Sequence, residues 1–156
     1  PGPSRRSKEI SMVTQNALEP VLDLSAFPKT VVDVYIELIQ TDAGTRCAGI
    51  CAASMALADA GFRMKDLVCS VSAGVVGGTP LVDVDKEEED YPHGSVDIPI
   101  AVMPRTGQLT LLQLDGEVSK EDLMAAVALA RESCKKVYEV QKNALKERYN
   151  DGGIKK

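Results

Sequence analysis

Three stretches of this 156-residue chain bring together residue types that can do chemistry. The first is Asp42-Ala43-Gly44-Thr45-Arg46, placed where a polar turn gives way to an alanine-rich segment. Backbone N–H groups at a helix start are unpaired donors, and the helix dipole is positive there. Gly44 would let an anion approach the backbone, the Thr45 hydroxyl would add a donor, and Arg46 would add a bidentate fork. Together they suit phosphate or another oxyanion. The same residues also suit a plain connection, with Gly44 turning the chain, Thr45 capping the helix and Arg46 in solvent.

The second stretch is Asp83-Val84-Asp85. On an extended strand residues i and i+2 share a face, so the two carboxylates would lie about 7 Å apart with Val84 turned inward. Such a pair can raise one another's pKa, divide into a general acid and an ionised partner, or share a hard divalent cation such as Mg2+. The acidic run that follows, Lys86 to Asp90, fits a solvated strand end equally well. The third stretch is Arg5-Arg6, just ahead of a helical pattern, where two guanidinium groups could hold a phosphodiester backbone. His93, the single histidine, lies between Pro92 and Gly94 and has no Ser or Cys partner in a recognisable motif. It reads as a surface residue.

The elements that must position these residues follow from periodicity. Ile10, Val13, Ala17, Val21 and Leu24 have helical spacing, with Ser4 or Ser7 as cap and Glu9 in the first turn. Val32, Val34, Ile36 and Leu38 alternate with Asp33, Tyr35 and Glu37, which predicts a half-buried strand. The alanine-rich run from Cys47 predicts a central helix lying close on a sheet and stopping at Gly61. Residues 67–76 and 81–85, joined through Gly77-Gly78-Thr79-Pro80, predict one hairpin, and residues 96–104 and 108–116 a second. Ser119 and Asp122 open a long amphipathic helix in capping-box-like spacing. The order is helix, strand, helix, four strands, helix, which points to an α+β layer rather than a βαβ repeat.

Composition sets further bounds. The chain is 44% apolar and 26% charged, ordinary for a globular domain. No apolar run approaches the roughly 18 residues that a membrane span requires. A net charge of −5 argues against a protein that coats nucleic acid by itself. Cys47, Cys51, Cys69 and Cys134 lack zinc spacing and read as reduced, buried thiols of an intracellular protein.

Taken in order, these pieces resemble the RNase PH family of phosphorolytic exoribonucleases, and within it the catalytic RNase PH-like subunit of the archaeal exosome ring. The motifs carrying the resemblance are RRSKEIS (residues 5–11), NALEP (16–20), DAGTR (42–46), ADAGFRMKDLV (58–68), CSVSAG (69–74), LVDVDKEEED (81–90), DIPIAVMP (97–104) and LLQLDG (111–116). The resemblance implies an RNase PH-like (ribosomal protein S5 domain 2-like) fold, a mixed sheet packed against helices, over residues 1–149. The N-terminal portion of that domain would be missing, and residues 150–156 would form a disordered tail. It further implies phosphate-dependent 3′-to-5′ degradation of single-stranded RNA to nucleoside 5′-diphosphates in the cytoplasm. Inorganic phosphate would be the co-substrate, with Mg2+ as a further candidate.

By the same resemblance Gly44, Thr45 and Arg46 would bind phosphate, and Arg5 and Arg6 would hold RNA near the reacting group. Asp85 would be the general acid, and Asp83 would orient it or share Mg2+. Glu89 or Asp90 would match a further carboxylate of the family. The implied partners are a non-catalytic RNase PH-like subunit alternating in a six-membered ring, and RNA-binding cap subunits. A silent scaffold subunit, a homohexameric enzyme trimming transfer RNA ends, and an unrelated metal-binding interaction domain are the alternatives.

Overall fold

The computed structural model describes residues 2 and 4–151. Helix α1 (Arg5–Leu18) starts where expected, because the Ser4 hydroxyl accepts the Ser7 N–H at 3.0 Å. With Ser4 as cap, Glu9 falls beyond the first turn rather than within it. The helix also stops earlier than its periodicity suggests. Pro20 has no N–H to continue the ladder, and single 3-10 turns at Glu19–Val21 and Leu24–Ala26 follow.

The expected strand over residues 32–38 forms no ladder with any described residue. Its alternation is nevertheless physically expressed. Val32, Val34 and Leu38 are 36–43% exposed, whereas Val31, Tyr35 and Ile39 are 84–101% exposed. Of the inner row, Ile36 packs on the α1–α2 core, and the segment as a whole borders a cavity shared with Ile10, Thr14 and Leu18 of α1. Period-2 hydropathy reports which side of a segment meets apolar neighbours, while a strand also needs a second chain segment to pair with.

Helix α2 (Thr45–Asp59) ends as the Gly61 signal predicts. Gly61 N–H donates to the Ala58 carbonyl and Phe62 N–H to the Leu57 carbonyl, a Schellman closure. Strands β1 (Cys69–Val76) and β2 (Thr79–Val82) form the first hairpin through Gly77-Gly78, both at positive φ as a type I′ turn requires. A one-turn helix α3 (Lys86–Glu89) leads to β3 (Ser95–Met103) and β4 (Gln108–Leu112). Helix α4 (Lys120–Asp151) completes the chain, with Ser119 accepting the Asp122 N–H at 3.0 Å. Asn150 and Asp151 belong to this helix rather than to the expected tail, whose remaining residues lie outside those described.

The four strands run in the order β2-β1-β3-β4, and every pairing is antiparallel. The α+β expectation therefore holds, and among the described residues the sheet is wholly antiparallel rather than mixed, because β2 and β3, which run the same way, lie on opposite sides of β1 and do not pair. Helices cover both faces. Val75, Ile98, Ile100 and Val102 meet Ala126, Ala130 and Cys134 of α4. On the other side Ala101 and Met103 meet Ala17 and Leu18 of α1 and Ile50, Ala53 and Leu57 of α2. Burying the larger of these side chains stabilises the fold by about 1.5–3 kcal/mol each.

Candidate phosphate-binding cleft

Ser70, Ser72 and Gly74 of β1 alternate with the residues that face α4, so a row of small or polar groups lies under α2. Small side chains there let α2 settle close. Ser70 N–H donates to Cys51 Sγ at 3.1 Å, and the Cys51 thiol donates to the Ser70 carbonyl at 3.3 Å. At the N-terminal end of α2 this arrangement opens into a cleft of about 310 Å³, lined among others by Arg6, Asp42, Gly44, Thr45, Arg46, Ser72, Lys86, Glu89 and Asp97.

Gly44, not Thr45, caps α2. It sits at φ +55°, and the preceding Ala43 is also left-handed at φ +52°. A glycine tolerates that conformation without penalty, and no side chain then closes over the helix start. Cys47 and Ala48 N–H groups both donate to the Gly44 carbonyl. The Thr45 and Arg46 amides precede the first intrahelical bond and remain donors at the positive end of the dipole. The Arg46 guanidinium is reached by two acceptors, Gln113 Oε1 and Glu9 Oε1, the latter at 3.4 Å.

Arg6 joins the same cleft from the first turn of α1, whereas Arg5 does not line it. The structure thus separates two residues that adjacency had grouped. Successive helix positions are rotated by about 100°, so only one of them can face α2.

The acidic pair is arranged differently from expectation. Strand β2 ends at Val82, Asp83 adopts φ +67°, and Asp85 is the N-cap of α3. The common strand face that Asp83 and Asp85 were expected to share is therefore not formed. Val84 is buried, as expected, against Gly74. A Cβ on Gly74 would come within 2.8 Å of Val84 and 2.6 Å of the Val96 carbonyl oxygen, so this β1 position needs glycine.

The acids in and beside this segment take four roles. Asp85 accepts the Glu88 N–H at 2.9 Å while Glu88 accepts the Asp85 N–H at 3.0 Å, a reciprocal capping box. Asp42 accepts the Lys86 N–H at 3.2 Å, which ties the Asp42–Arg46 turn to the start of α3. Asp90 takes the Lys86 ammonium at 2.6 Å in solvent. Glu89 alone among residues 83–90, apart from Lys86, lines the cleft. Burial raises its pKa above the ordinary glutamate value, and the nearby Asp97 carboxylate raises it further, against the pull of Lys86 and Arg6.

Asp97 is a site residue that motif reading passed over. It faces the α2 side because Val96 and Ile98 face α4, and it accepts the Ser72 hydroxyl at 2.9 Å. A charged residue inside the otherwise apolar run VDIPIAVM was the available signal. Asp85 gives an oxygen to the α3 cap and Asp83 lies in a left-handed turn, so the shared strand face on which the two were expected to hold Mg2+ is not formed. Among the described residues no three His, Cys, Asp or Glu side chains gather as a metal site.

All four cysteines are free thiols, three of them buried. Burial pushes Cys47, at the floor of the cleft, and Cys134 up to about 12, so both stay protonated at neutral pH. No helix among the described residues is long and apolar enough to cross a membrane.

A helix start left open by a left-handed glycine, lined by two arginines and bordered by carboxylates, gives this α+β domain a polar cleft at the N-terminal end of α2. Comparison with known proteins gives that class its family. The two consecutive domains of the 3′ exoribonuclease family (RNase PH) match residues 1–63 and 66–133. The chain is 54% identical over 149 residues to the exosome complex component Rrp41 of Thermococcus gammatolerans, covering 96% of this chain and 59% of that one. It is 50% identical to the Rrp41 components of Methanopyrus kandleri and Cenarchaeum symbiosum, covering 62% of each. The crystal structure of rice Rrp46 superposes with a TM-score of 0.84 at 20% identity, over 94% of this chain and 68% of that one, which supports the fold. The chain belongs to the RNase PH family of 3′ exoribonucleases, and spans about 59–62% of the length of these archaeal relatives.

Proposed function

We propose that this protein is the catalytic subunit of an exosome ring, a phosphate-dependent 3′-to-5′ exoribonuclease that releases nucleoside 5′-diphosphates from single-stranded RNA. One observation carries the reading: the N-terminal end of α2, Arg46 and Arg6 line one cleft together with Glu89 and Asp97. Inorganic phosphate would bind at Gly44, Thr45 and Arg46. One of its oxygens attacks the terminal phosphodiester phosphorus, the bond to the leaving 3′-oxygen breaks, and that oxygen takes up a proton. Two anions must approach one another in this step, so Arg46 and Arg6 neutralise the charge that builds up.

The proton donor we assign is Glu89. It lies in the cleft, and its raised pKa favours the protonated form that a general acid needs. Asp85 then acts through α3, holding the turn that presents Glu89, rather than donating the proton itself. Arg5 is left to the RNA backbone further from the reacting atoms. With the expected Asp83–Asp85 strand face not formed, no step is routed through Mg2+. A non-catalytic RNase PH-like partner in a six-membered ring, with RNA-binding caps, would supply the basic surface that a chain of net charge −5 lacks. A cytoplasmic location accords with four free thiols.

The test is an assay of the ring complex on 3′-labelled single-stranded RNA, with and without inorganic phosphate. Nucleoside diphosphates that require phosphate and disappear in Arg46→Ala are the expected result. Monophosphates released without phosphate would mean hydrolysis, and a fully silent complex would mean a scaffold subunit. Glu89→Gln should abolish turnover, whereas Asp85→Asn, which keeps a capping side chain, should retain most of it. Equal loss in both would return the acid role to Asp85.

A further inference from the structure

We propose that Gln113 is a positioning residue for anion binding, holding one edge of the Arg46 guanidinium so that the other edge serves the cleft. The inference rests on the reading of the cleft as a phosphate site. Among the described residues Arg46 makes two side-chain hydrogen bonds, to Gln113 and to Glu9, and both leave from Nη1. Neither partner lines the cleft, while Arg46 does. A guanidinium has five N–H donors in a planar fork. With Nη1 engaged from behind, the Nε and Nη2 donors remain, and that edge grips an oxyanion bidentately.

The chemistry of the holder matters as much as its place. Gln113 lies one residue beyond β4, where its N–H donates to the Pro99 carbonyl at 3.1 Å, so its backbone is anchored to the sheet that floors the cleft. Its amide oxygen fixes Arg46 without cancelling the arginine charge. Glu9, half-exposed and farther at 3.4 Å, is the weaker of the two contacts. Gln113 therefore fixes direction and leaves the charge to the ligand.

The experiment is calorimetric titration of inorganic phosphate into the protein and its Gln113→Ala, Gln113→Glu and Arg46→Ala variants, with Tm measured beside each. Gln113→Ala should weaken phosphate binding about tenfold, the scale of one lost hydrogen bond to a charged group, with Tm nearly unchanged. Gln113→Glu keeps the acceptor but adds a negative charge. Relative to the unsubstituted protein at each pH, its affinity should be low near neutrality and recover as the introduced carboxyl protonates. A purely structural role would not move that pH profile. If Gln113→Ala binds phosphate as the parent does, or Gln113→Glu follows the parent profile, the proposal is overturned. Should Gln113→Ala lower Tm sharply, Gln113→Glu, which preserves size and acceptor, decides. Loss of binding in Arg46→Ala but not in the Gln113 variants overturns this inference alone. A parent protein that binds no phosphate, or an Arg46→Ala variant that binds it undiminished, removes the cleft reading and the inference with it.

Discussion

The two faces of the sheet are made by the same strands and differ in how much polar surface they carry. Toward α4, Ala73, Val75, Ile98, Ile100 and Val102 form a dry apolar layer with Ala126, Ala130 and Cys134. Toward α2, the intervening residues Ser70, Ser72 and Asp97 hydrogen-bond to one another's neighbourhood instead of packing apolar bulk. The α4 face is apolar along its length, whereas the α2 face is apolar at Ala101 and Met103 and turns polar toward the helix start, where it leaves room for a cleft. Period-2 alternation lets a single strand serve both without compromise, because changing a side chain on one face leaves the other face's side chains in place.

The comparison can be broken most forcefully from the apolar side. Ile98→Ala or Ile100→Ala should lower stability by about 2–5 kcal/mol, measured by denaturant unfolding, because both side chains are fully buried. Phosphate affinity of the folded fraction should be unchanged. A parallel loss of affinity would show that the faces are coupled. From the polar side, Arg46→Ala should cut the proposed phosphorolysis by roughly 10²–10³-fold with little change in Tm, the effect of removing one preorganised charge-stabilising donor. A marked fall in Tm would make Arg46 part of the core rather than of the cleft.

Smaller effects sharpen the division of labour. Asp85→Ala removes the cap of α3 and should destabilise that turn by about 1 kcal/mol, slowing turnover through Glu89 while Asp85→Asn spares it. Equal rates in the Asp85→Ala variant and the parent would detach the cap from the chemistry. The smallest effect is at neutral pH, where the buried thiols should be silent. Cys47 and Cys134 ionise at about 12 in the fold against 9.0 in the reference state, so the native protein holds protons that the unfolded chain has already lost. Their contribution is fully present below pH 9 and is lost as pH rises toward 12. Cys134→Ala should flatten the alkaline limb of a stability–pH curve, and an unchanged slope would mean that this thiol does not titrate with unfolding.

What the chain determines by itself is what neighbours in sequence can enforce. The Ser119 cap, the Gly61 stop and the Gly77-Gly78 hairpin rest on local dihedrals and on hydrogen bonds spanning only a few residues, and these were legible, while the α1 cap stayed between Ser4 and Ser7 and the turn before α2 between an anion site and a plain connection. The order of the motifs was enough to reach the family. Tertiary structure decided the rest. Whether residues 32–38 are a strand depends on a pairing partner, which hydropathy does not encode. The direction of each carboxylate after β2 turns on the left-handed Asp83, a conformation uncommon for any residue with a Cβ. That one dihedral sends Asp85 to a cap and lets Glu89 reach the cleft. Asp97, Gln113 and Arg6 meet Arg46's neighbourhood from three separate elements. Only packing the helices onto the sheet gathers such distant residues around one cleft, because the energy that does so is burial, which acts between faces rather than along the chain.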